Sequence, residues 1–303
     1  MAKMIILSGL PGSGKTYLAT QLLQQYGNAI RINRDLLRTM LHCDIWSGVN
    51  ENMTRTAARV LAKHFLDRDI QDRQEELAPG VVIIDETNLN AKTLGSWKQL
   101  AEMCGASWEV IDVPTPVDEC LRRDRLRGAA AVGDHVIIGM ALQSQRYPVP
   151  EHGIILCDID GTVADTTRRL PYLQQAPKDW HGFFQNMAQD PIREEVVSLV
   201  QEQVAPGAEL FMLSGRPDTY RDETEWWLRH KARLPFRALF MRRAGDRRPD
   251  TVVKQQMLDT YFPDPYRQQI RYVFDDRRRL LEMWLVQVPG ATVVNCGGDD
   301  NDF

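Results

Sequence analysis

Short apolar runs recur along the chain, each followed by a longer stretch in which apolar residues return every three or four positions. Strands are predicted at Met4–Leu7, Ala29–Ile32, Val81–Asp85, Trp108–Val113, Ile154–Cys157, Glu209–Leu213, Tyr272–Phe274 and Thr292–Asn295. Helices are predicted at Lys15–Gln25, Met53–Ile70, Leu94–Cys104, Val117–Arg127, Ile192–Val204 and Glu223–Arg233. Such alternation gives an α/β chain with mainly parallel sheets flanked by helices, because parallel neighbours need a crossover long enough to hold a helix. The rhythm breaks at Arg146-Tyr147-Pro148-Val149-Pro150-Glu151-His152-Gly153, where two prolines and a glycine precede a fresh strand. Two domains are therefore expected, 1–147 and 154–303, joined by a linker at 148–153.

Composition narrows the class. The 303 residues are 43% hydrophobic and 26% charged, which excludes disordered and collagen-like chains. No apolar run approaches the ~18 residues of a membrane span. The Met4–Leu7 run is cut by Gly9 and Pro11 with no cleavage site behind it, so a cytoplasmic protein without a membrane partner is expected. Five cysteines, Cys43, Cys104, Cys120, Cys157 and Cys296, are scattered without a C-x-x-C pair; they read as reduced, mostly buried thiols rather than a disulfide or zinc framework. The net charge of −4 hides arginine clusters at 122–127, 168–169, 242–248 and 277–279, so the total does not exclude a polyanionic ligand. Residues 297–303 read as an acidic tail.

Gly9-Leu10-Pro11-Gly12-Ser13-Gly14-Lys15-Thr16 fits G-x-x-x-x-G-K-[ST] and stands between an apolar strand and a helix. Glycines such as Gly12 and Gly14, with Ser13 between them, let backbone N–H groups turn onto phosphate oxygens at a helix N-terminus. Lys15 reaches the outer phosphates and Thr16 ligates Mg²⁺. Val81–Asp85 is an apolar strand ending in an acid that can orient the same metal. Asp35 and Arg38 are three apart on one helical face: the carboxylate suits a general base for an attacking hydroxyl, the arginine an acceptor phosphate. Asp35 as a mere first-turn helix acid stays open. Arg123 and Arg127, four apart, suit a cationic lid over a triphosphate, with a solvated basic face as the alternative.

Ile154-Ile155-Leu156-Cys157-Asp158-Ile159-Asp160-Gly161-Thr162 is a strand ending in D-x-D-G-T. The two carboxylates emerge together, so Asp158 can attack phosphorus while Asp160 protonates the leaving oxygen. Strand alternation turns Cys157 away from that face. Downstream come Ser214-Gly215-Arg216 at a strand end, then Lys254, then Asp275-Asp276 closing another strand. A hydroxyl to hold phosphate, a lysine to neutralise it and paired acids for an oxygen-liganded Mg²⁺ complete the set.

D-x-D-G-T and its followers resemble the haloacid-dehalogenase phosphatase superfamily. P-loop kinase first and phosphatase second resembles the phage polynucleotide 5′-kinase/3′-phosphatase family over nearly the whole chain. That resemblance implies a P-loop kinase fold followed by a haloacid-dehalogenase-like fold with a small cap. It implies transfer of the ATP γ-phosphate to 5′-hydroxyl nucleic-acid ends and removal of 3′-phosphates through an aspartyl-phosphate, with ATP and Mg²⁺ as cofactors. It also places the kinase base on Asp35, the acceptor-phosphate arginine on Arg38 and lid arginines on Arg123 and Arg127. Arg169, in Arg169-Leu170-Pro171-Tyr172, joins Ser214, Gly215, Arg216, Asp250 and Lys254 as the phosphate-binding set, and Asp158, Asp160, Asp275 and Asp276 as the phosphatase metal set beside Thr16 and Asp85 for the kinase. Self-association is common in such a family. Only the resemblance points to nucleic acid; a kinase/phosphatase acting on a small metabolite stays open.

Overall fold

Four of the apolar runs, β1 (Lys3–Ser8), β2 (Ala29–Ile32), β3 (Val81–Asp85) and β4 (Ser107–Asp112), pair in the order β2-β3-β1-β4, all parallel. The other five, β5 (Ile154–Cys157), β6 (Glu209–Pro217), β7 (Phe236–Arg242), β8 (Ile270–Asp275) and β9 (Thr292–Asn295), form a second parallel sheet, β7-β6-β5-β8-β9. The computed structural model describes residues 2–67 and 80–297. The end of the predicted Met53–Ile70 helix and nearly all of the acidic tail lie outside the described residues.

The central strands are buried on both faces. Ile5, Ile6, Ile83 and Ile84 in the first sheet, and Ile154, Ile155 and Leu156 in the second, are at most 1% exposed. That is why they read as continuous apolar runs rather than alternating ones. Helices cover them: Lys15–Tyr26 buries Ala19 and Leu22, and Gly48–Leu66 buries Ala58, Ala62 and Leu66. Both sheets point the C-terminal ends of their strands toward loops that carry polar residues, the place where open parallel sheets bind ligands.

Every predicted strand segment lies in a sheet, but the sequence pattern omits β7. Its run Phe236-Arg237-Ala238-Leu239-Phe240-Met241-Arg242 directly follows Pro235 and carries two arginines, so it lacks the bare apolar core of the others. The helices Asp134–Gln143, Asp250–Tyr261 and Arg278–Gln287 are also additions.

The chain divides into two compact units, Met1–Gly133 and Asp134–Phe303, so the break precedes the proline-rich segment at 148–153. The reason is the helix Asp134–Gln143. It buries Ile137, Ile138, Ala141 and Leu142, and Gly139 lies so close to the rings of Tyr261 and Phe240 that an added Cβ would stand 3.0 and 3.4 Å from them. Tyr147 continues the attachment: its hydroxyl donates to Glu209 at 2.6 Å and its carbonyl accepts from Tyr266 at 2.7 Å.

Candidate functional sites

In the first unit the loop after β1 turns on glycines at positive φ, Gly12 at 78° and Gly14 at 100°. A Cβ on Gly12 would stand 2.6 Å from the Cys120 carbonyl oxygen, so backbone conformation and close packing both require glycine there. Lys15 Nζ donates to the carbonyls of Gly9 (2.9 Å) and Leu10 (2.6 Å) and to Ser13 Oγ (3.3 Å), inside the cradle that it spans. Thr16 Oγ1 donates to Asp85 at 3.0 Å across 69 positions of sequence, which brings the two predicted metal-side oxygens together. Arg31 pairs with that same carboxylate at 2.6 Å, and Asn33 Nδ2 donates to the Asp85 carbonyl at 2.8 Å.

Asn33 also caps the next helix, Arg34–His42, by accepting from Leu36 N–H at 3.0 Å. This cap fixes the first turn, where Asp35 stands 86% exposed and pairs with Arg38 at 2.8 Å. Arg38 is held from the other side by Glu51 at 2.8 Å. Glu51 also pairs with Arg34 at 3.4 Å, and Arg34 with the buried Glu86 at 2.7 Å, where burial pushes the carboxyl above its ordinary range. Glu51 and Glu86 carry no local motif and escape a reading of the sequence.

The structure separates the basic residues of Val117–Arg125. Arg123 Nη1 donates to the carbonyls of Ser13 (3.3 Å) and Gly12 (3.4 Å), at the rim of the cradle. Glu119 pairs with both Arg123 and its neighbour Arg122, at 2.6 Å each, but only Arg123 also reaches the loop carbonyls. Arg127 is not brought to the loop by these contacts: the helix stops at Arg125, so the four-residue spacing no longer places it beside Arg123, and it pairs with Asp124 at 3.4 Å.

In the second unit the ends of β5 and β8 meet. Ligand oxygens of Asp158, Asp275 and Asp276 lie within 4.8 Å of one another, all buried. Lys254 Nζ sits between Asp158 and Asp275 at 2.8 Å from each. Burial opposes its charge, but the two carboxylates outweigh that cost and hold its pKa above the ordinary value. Burial pushes Asp158 and Asp276 upward. Asp276 Oδ1 is buried with no hydrogen-bond partner among the described residues, and Asp276 forms with Asp158 and Asp275 a group of three hard oxygen donors, so the residues fit a Mg²⁺-sized cation. Asp275 is already engaged: Oδ1 accepts from the Asp276 and Arg277 N–H groups, Oδ2 from Lys254 and from Trp284 Nε1 at 3.0 Å. Gly161, at φ 82°, lets the chain turn where any Cβ would overlap the Asp276 carboxylate.

The Asp160 carboxylate lies outside this oxygen cluster, which departs from its place in the expected metal set. Arg216 and Arg169 draw it away, with contacts of 2.6 and 2.5 Å. Burial works against its charge, yet Arg216 first and Arg169 next hold it well below the usual carboxylate range. Arg169 is itself 1% exposed and forked onto Asp190 at 2.9 and 2.5 Å; Asp190 is a partner that local sequence gives no means of finding. Arg216 is fully buried, so both arginines act here through Asp160.

Asp250 opens the helix Asp250–Tyr261 and is held by Arg242 and Arg277 together. Its carboxylate, with those two guanidiniums, lines a cavity that Asp158 and Lys254 also line. Ser214 is 1% exposed, with Oγ accepting from Arg216 N–H at 3.2 Å, and the Gly215 carbonyl accepts from Arg242 Nε at 2.9 Å. Cys157 packs in the core with Ile155 and Val197, and burial pushes its thiol well up, so it offers no thiolate beside Asp158.

Residues 152–299 match the family model described as the polynucleotide kinase PNKP phosphatase domain, and residues 4–146 match an AAA domain. A putative bifunctional polynucleotide kinase/RNA ligase of Autographa californica nuclear polyhedrosis virus is 24% identical over 317 residues, covering 99% of this chain and 43% of that protein. The chain thus spans less than half the length of that relative. Two solved structures of the Pnkp1/Rnl/Hen1 complex match at TM-scores of 0.41 and 0.40, with 22% and 24% identity, each over 98% of this chain and 97% of theirs. Among the described residues no helix is long and apolar enough to cross a membrane.

Proposed function

We propose that this chain, which joins an AAA-type P-loop kinase domain to a phosphatase domain of the polynucleotide kinase kind, heals nucleic-acid ends: it phosphorylates 5′-hydroxyls from ATP and removes 3′-phosphates. The observation that carries the reading is Lys254 bridging Asp158 and Asp275 beside an oxygen cluster, in a chain whose other unit carries a complete P-loop.

In the kinase half, Gly12–Gly14 backbone N–H groups and Lys15 bind the triphosphate, and Arg123 closes on its outer end. Thr16 and Asp85 hold Mg²⁺, which supplies charge neutralisation between the phosphates when bound. Asp35 takes the proton of the attacking 5′-hydroxyl, and Arg38, fixed by Glu51, positions the acceptor.

In the phosphatase half, Asp158 and Asp276 hold the cation, which supplies charge neutralisation on the phosphate when bound, with Asp275 anchoring Lys254 behind them. An Asp158 carboxylate oxygen forms a bond to phosphorus as the bond to the 3′ oxygen breaks, and that oxygen takes a proton that comes from water by way of Asp160, whose own carboxylate Arg216 and Arg169 keep charged until then. Water then attacks phosphorus and loses its proton to Asp160, and the acyl-phosphate bond breaks to return Asp158. The charge held on Asp160 by Arg216 and Arg169 suits this second, proton-accepting half.

Transfer of labelled phosphate from ATP to 5′-hydroxyl DNA and RNA, run beside phosphate release from 3′-phosphate ends, tests both halves. Lys15→Ala should lower kinase activity about a hundredfold or more and leave the phosphatase. Loss of both activities in a folded variant would overturn two independent sites, and transfer to sugars without transfer to oligonucleotides would favour a metabolite enzyme.

A further inference from the structure

The three acids of the phosphatase centre are not held equally. Asp158 is anchored by Lys254, and Asp275 accepts from four donors. Asp276 is only 6% exposed, yet its Oδ1 has no hydrogen-bond partner among the described residues. What Asp276 has instead is a wall. The Gly161 backbone, at φ 82°, packs so closely on its carboxylate that a Cβ there would overlap it. Any shift of the Gly161 turn is therefore felt at Asp276.

One side chain grips that turn. Arg193 Nη1 donates to the Gly161 carbonyl at 2.6 Å and also to the Cys296 carbonyl. Cys296 N–H in turn donates to the Asp275 carbonyl at 2.8 Å. A single guanidinium nitrogen thus joins the turn after β5 to the end of β9, and through it to the end of β8. Arg193 is itself well seated: its N–H donates to the Val163 carbonyl at 2.9 Å, and the helix that it opens, Glu194–Val204, buries Val196, Val197 and Val200 in the core of the unit. Its ion-pair partner Glu195 is 69% exposed, and such a pair contributes little. Three positions earlier, Asp190 holds Arg169 behind Asp160. The short segment Asp190-Pro191-Ile192-Arg193 therefore backs two of the site's acids by different routes.

We propose that Arg193 is a positioning residue for the phosphatase cation: by clamping the Gly161 and Cys296 carbonyls it keeps the Gly161 turn against Asp276, and so holds that carboxylate in ligand position beside Asp158. The proposal rests on the phosphatase reading for the reaction served, whereas the cation site itself is the group Asp158, Asp275 and Asp276. Groups that orient metal ligands from behind are typically worth about 10–100-fold in metal affinity. Arg193 acts through backbone, one step further back, so its effect belongs at the lower end of that range.

The test uses the full chain with Arg193→Met, Arg193→Lys and, as a control for the exposed ion pair, Glu195→Gln. Binding of Mn²⁺, an oxygen-seeking stand-in for Mg²⁺, is measured directly without substrate, and the share that Asp276→Asn removes belongs to this site. Arg193→Met should raise the Kd of that share about tenfold. Arg193→Lys, which keeps a cationic donor of different reach, should raise it less but measurably, and Glu195→Gln should match the parent. In 3′-phosphate release, the Mg²⁺ concentration for half-maximal rate should rise in Arg193→Met by a similar factor, with most of kcat recovered at saturating Mg²⁺ and 5′ phosphorylation unchanged. A lower Tm with an unchanged Mn²⁺ Kd would overturn the proposal and leave Arg193 a pin of the fold. If Arg193→Met does not fold, Arg193→Lys decides alone, an unchanged Kd overturning the proposal. No Mn²⁺ binding sensitive to Asp276→Asn would overturn the cation site and the proposal with it. A weakened Mn²⁺ site in a protein that releases no phosphate from any 3′ end would instead overturn the functional reading and leave the positioning role standing.

Discussion

The two sites place the carboxylate proposed to react in opposite surroundings. In the first unit Asp35 is 86% exposed and answers to one arginine on its own helix. In the second, Asp158 is 9% exposed, sits against a buried lysine and shares its pocket with two further acids. The difference follows from the chemistry. A base that takes a proton from an incoming hydroxyl needs to be reachable, and water screens its charge at little cost. A carboxylate that attacks a phosphate dianion needs cations fixed around it before the substrate arrives, and fixed charges act most strongly where water is excluded. The lesson is that the carboxylate proposed to react in the second unit is part of that unit's core, whereas its counterpart in the first, Asp35, stands on the surface beside a buried cradle.

The largest expected effect tests that lesson at its sharpest point. Asp158→Asn should abolish 3′-phosphate release, because the amide cannot form the acyl-phosphate, and should leave 5′ phosphorylation unchanged. Cys157→Ser should keep both activities, since that thiol faces the core. Beryllium trifluoride with Mg²⁺ should inhibit the phosphatase alone. Phosphate release surviving in Asp158→Asn would remove the covalent route.

Next in size is Asp35→Asn, expected to lower kinase kcat by roughly 10²–10⁴ with ATP binding retained. Because the side chain is solvated, its Tm should stay within about 1–2 °C of the parent, as surface substitutions rarely exceed ~0.5 kcal/mol. Unchanged turnover would make Asp35 no more than a helix-terminal acid.

Lys254→Met turns the comparison into a stability measurement. Removing the ammonium leaves Asp158 and Asp275 facing each other in the core, a loss of the kind that costs about 3–5 kcal/mol. Denaturant unfolding followed on both units should show the second destabilised and the first unmoved. A loss of under ~1 kcal/mol would mean that the bridge carries no more than a surface ion pair.

How much of this is legible beforehand also differs between the units, for a physical reason. Strand-end acids such as Asp85, Asp158 and Asp275 can be read because an apolar run gives both the strand and the direction in which its last side chain emerges. The P-loop can be read because its glycines, lysine and threonine must be adjacent in sequence to surround one phosphate chain. Partners that meet only through the fold leave no such trace: Glu51 behind Arg38, Asp190 behind Arg169 and Trp284 behind Asp275 are ordinary residues locally. Arg122 and Arg123 are equivalent in pattern, and only the packing of their helix beside the P-loop decides which one reaches it. A metal set drawn from strand ends alone therefore includes Asp160, whose carboxylate Arg216 and Arg169 hold outside the oxygen cluster.

The smallest effect concerns a group outside both sites, His135, on the helix that moves the boundary of the second unit. Burial first, then the nearby Arg221, push its imidazole down to about 4, against the opposing pull of Asp134 and Asp218. The unfolded chain binds that proton below about pH 6.5, whereas the folded chain resists it until about pH 4. Stability contributed by neutral His135 is thus fully present above pH 6.5, declines as the pH falls through this window and is gone below it. Asp158 and Asp276, raised by burial, act in the opposite direction, so the parent melt alone is a mixture. His135→Gln isolates the histidine: the gap in Tm between parent and variant should shift by about 5–10 °C in the variant's favour between pH 7 and pH 4.5. Parallel Tm curves across that range would show that the helix Asp134–Gln143 holds its histidine in water, and would weaken its assignment to the core of the second unit.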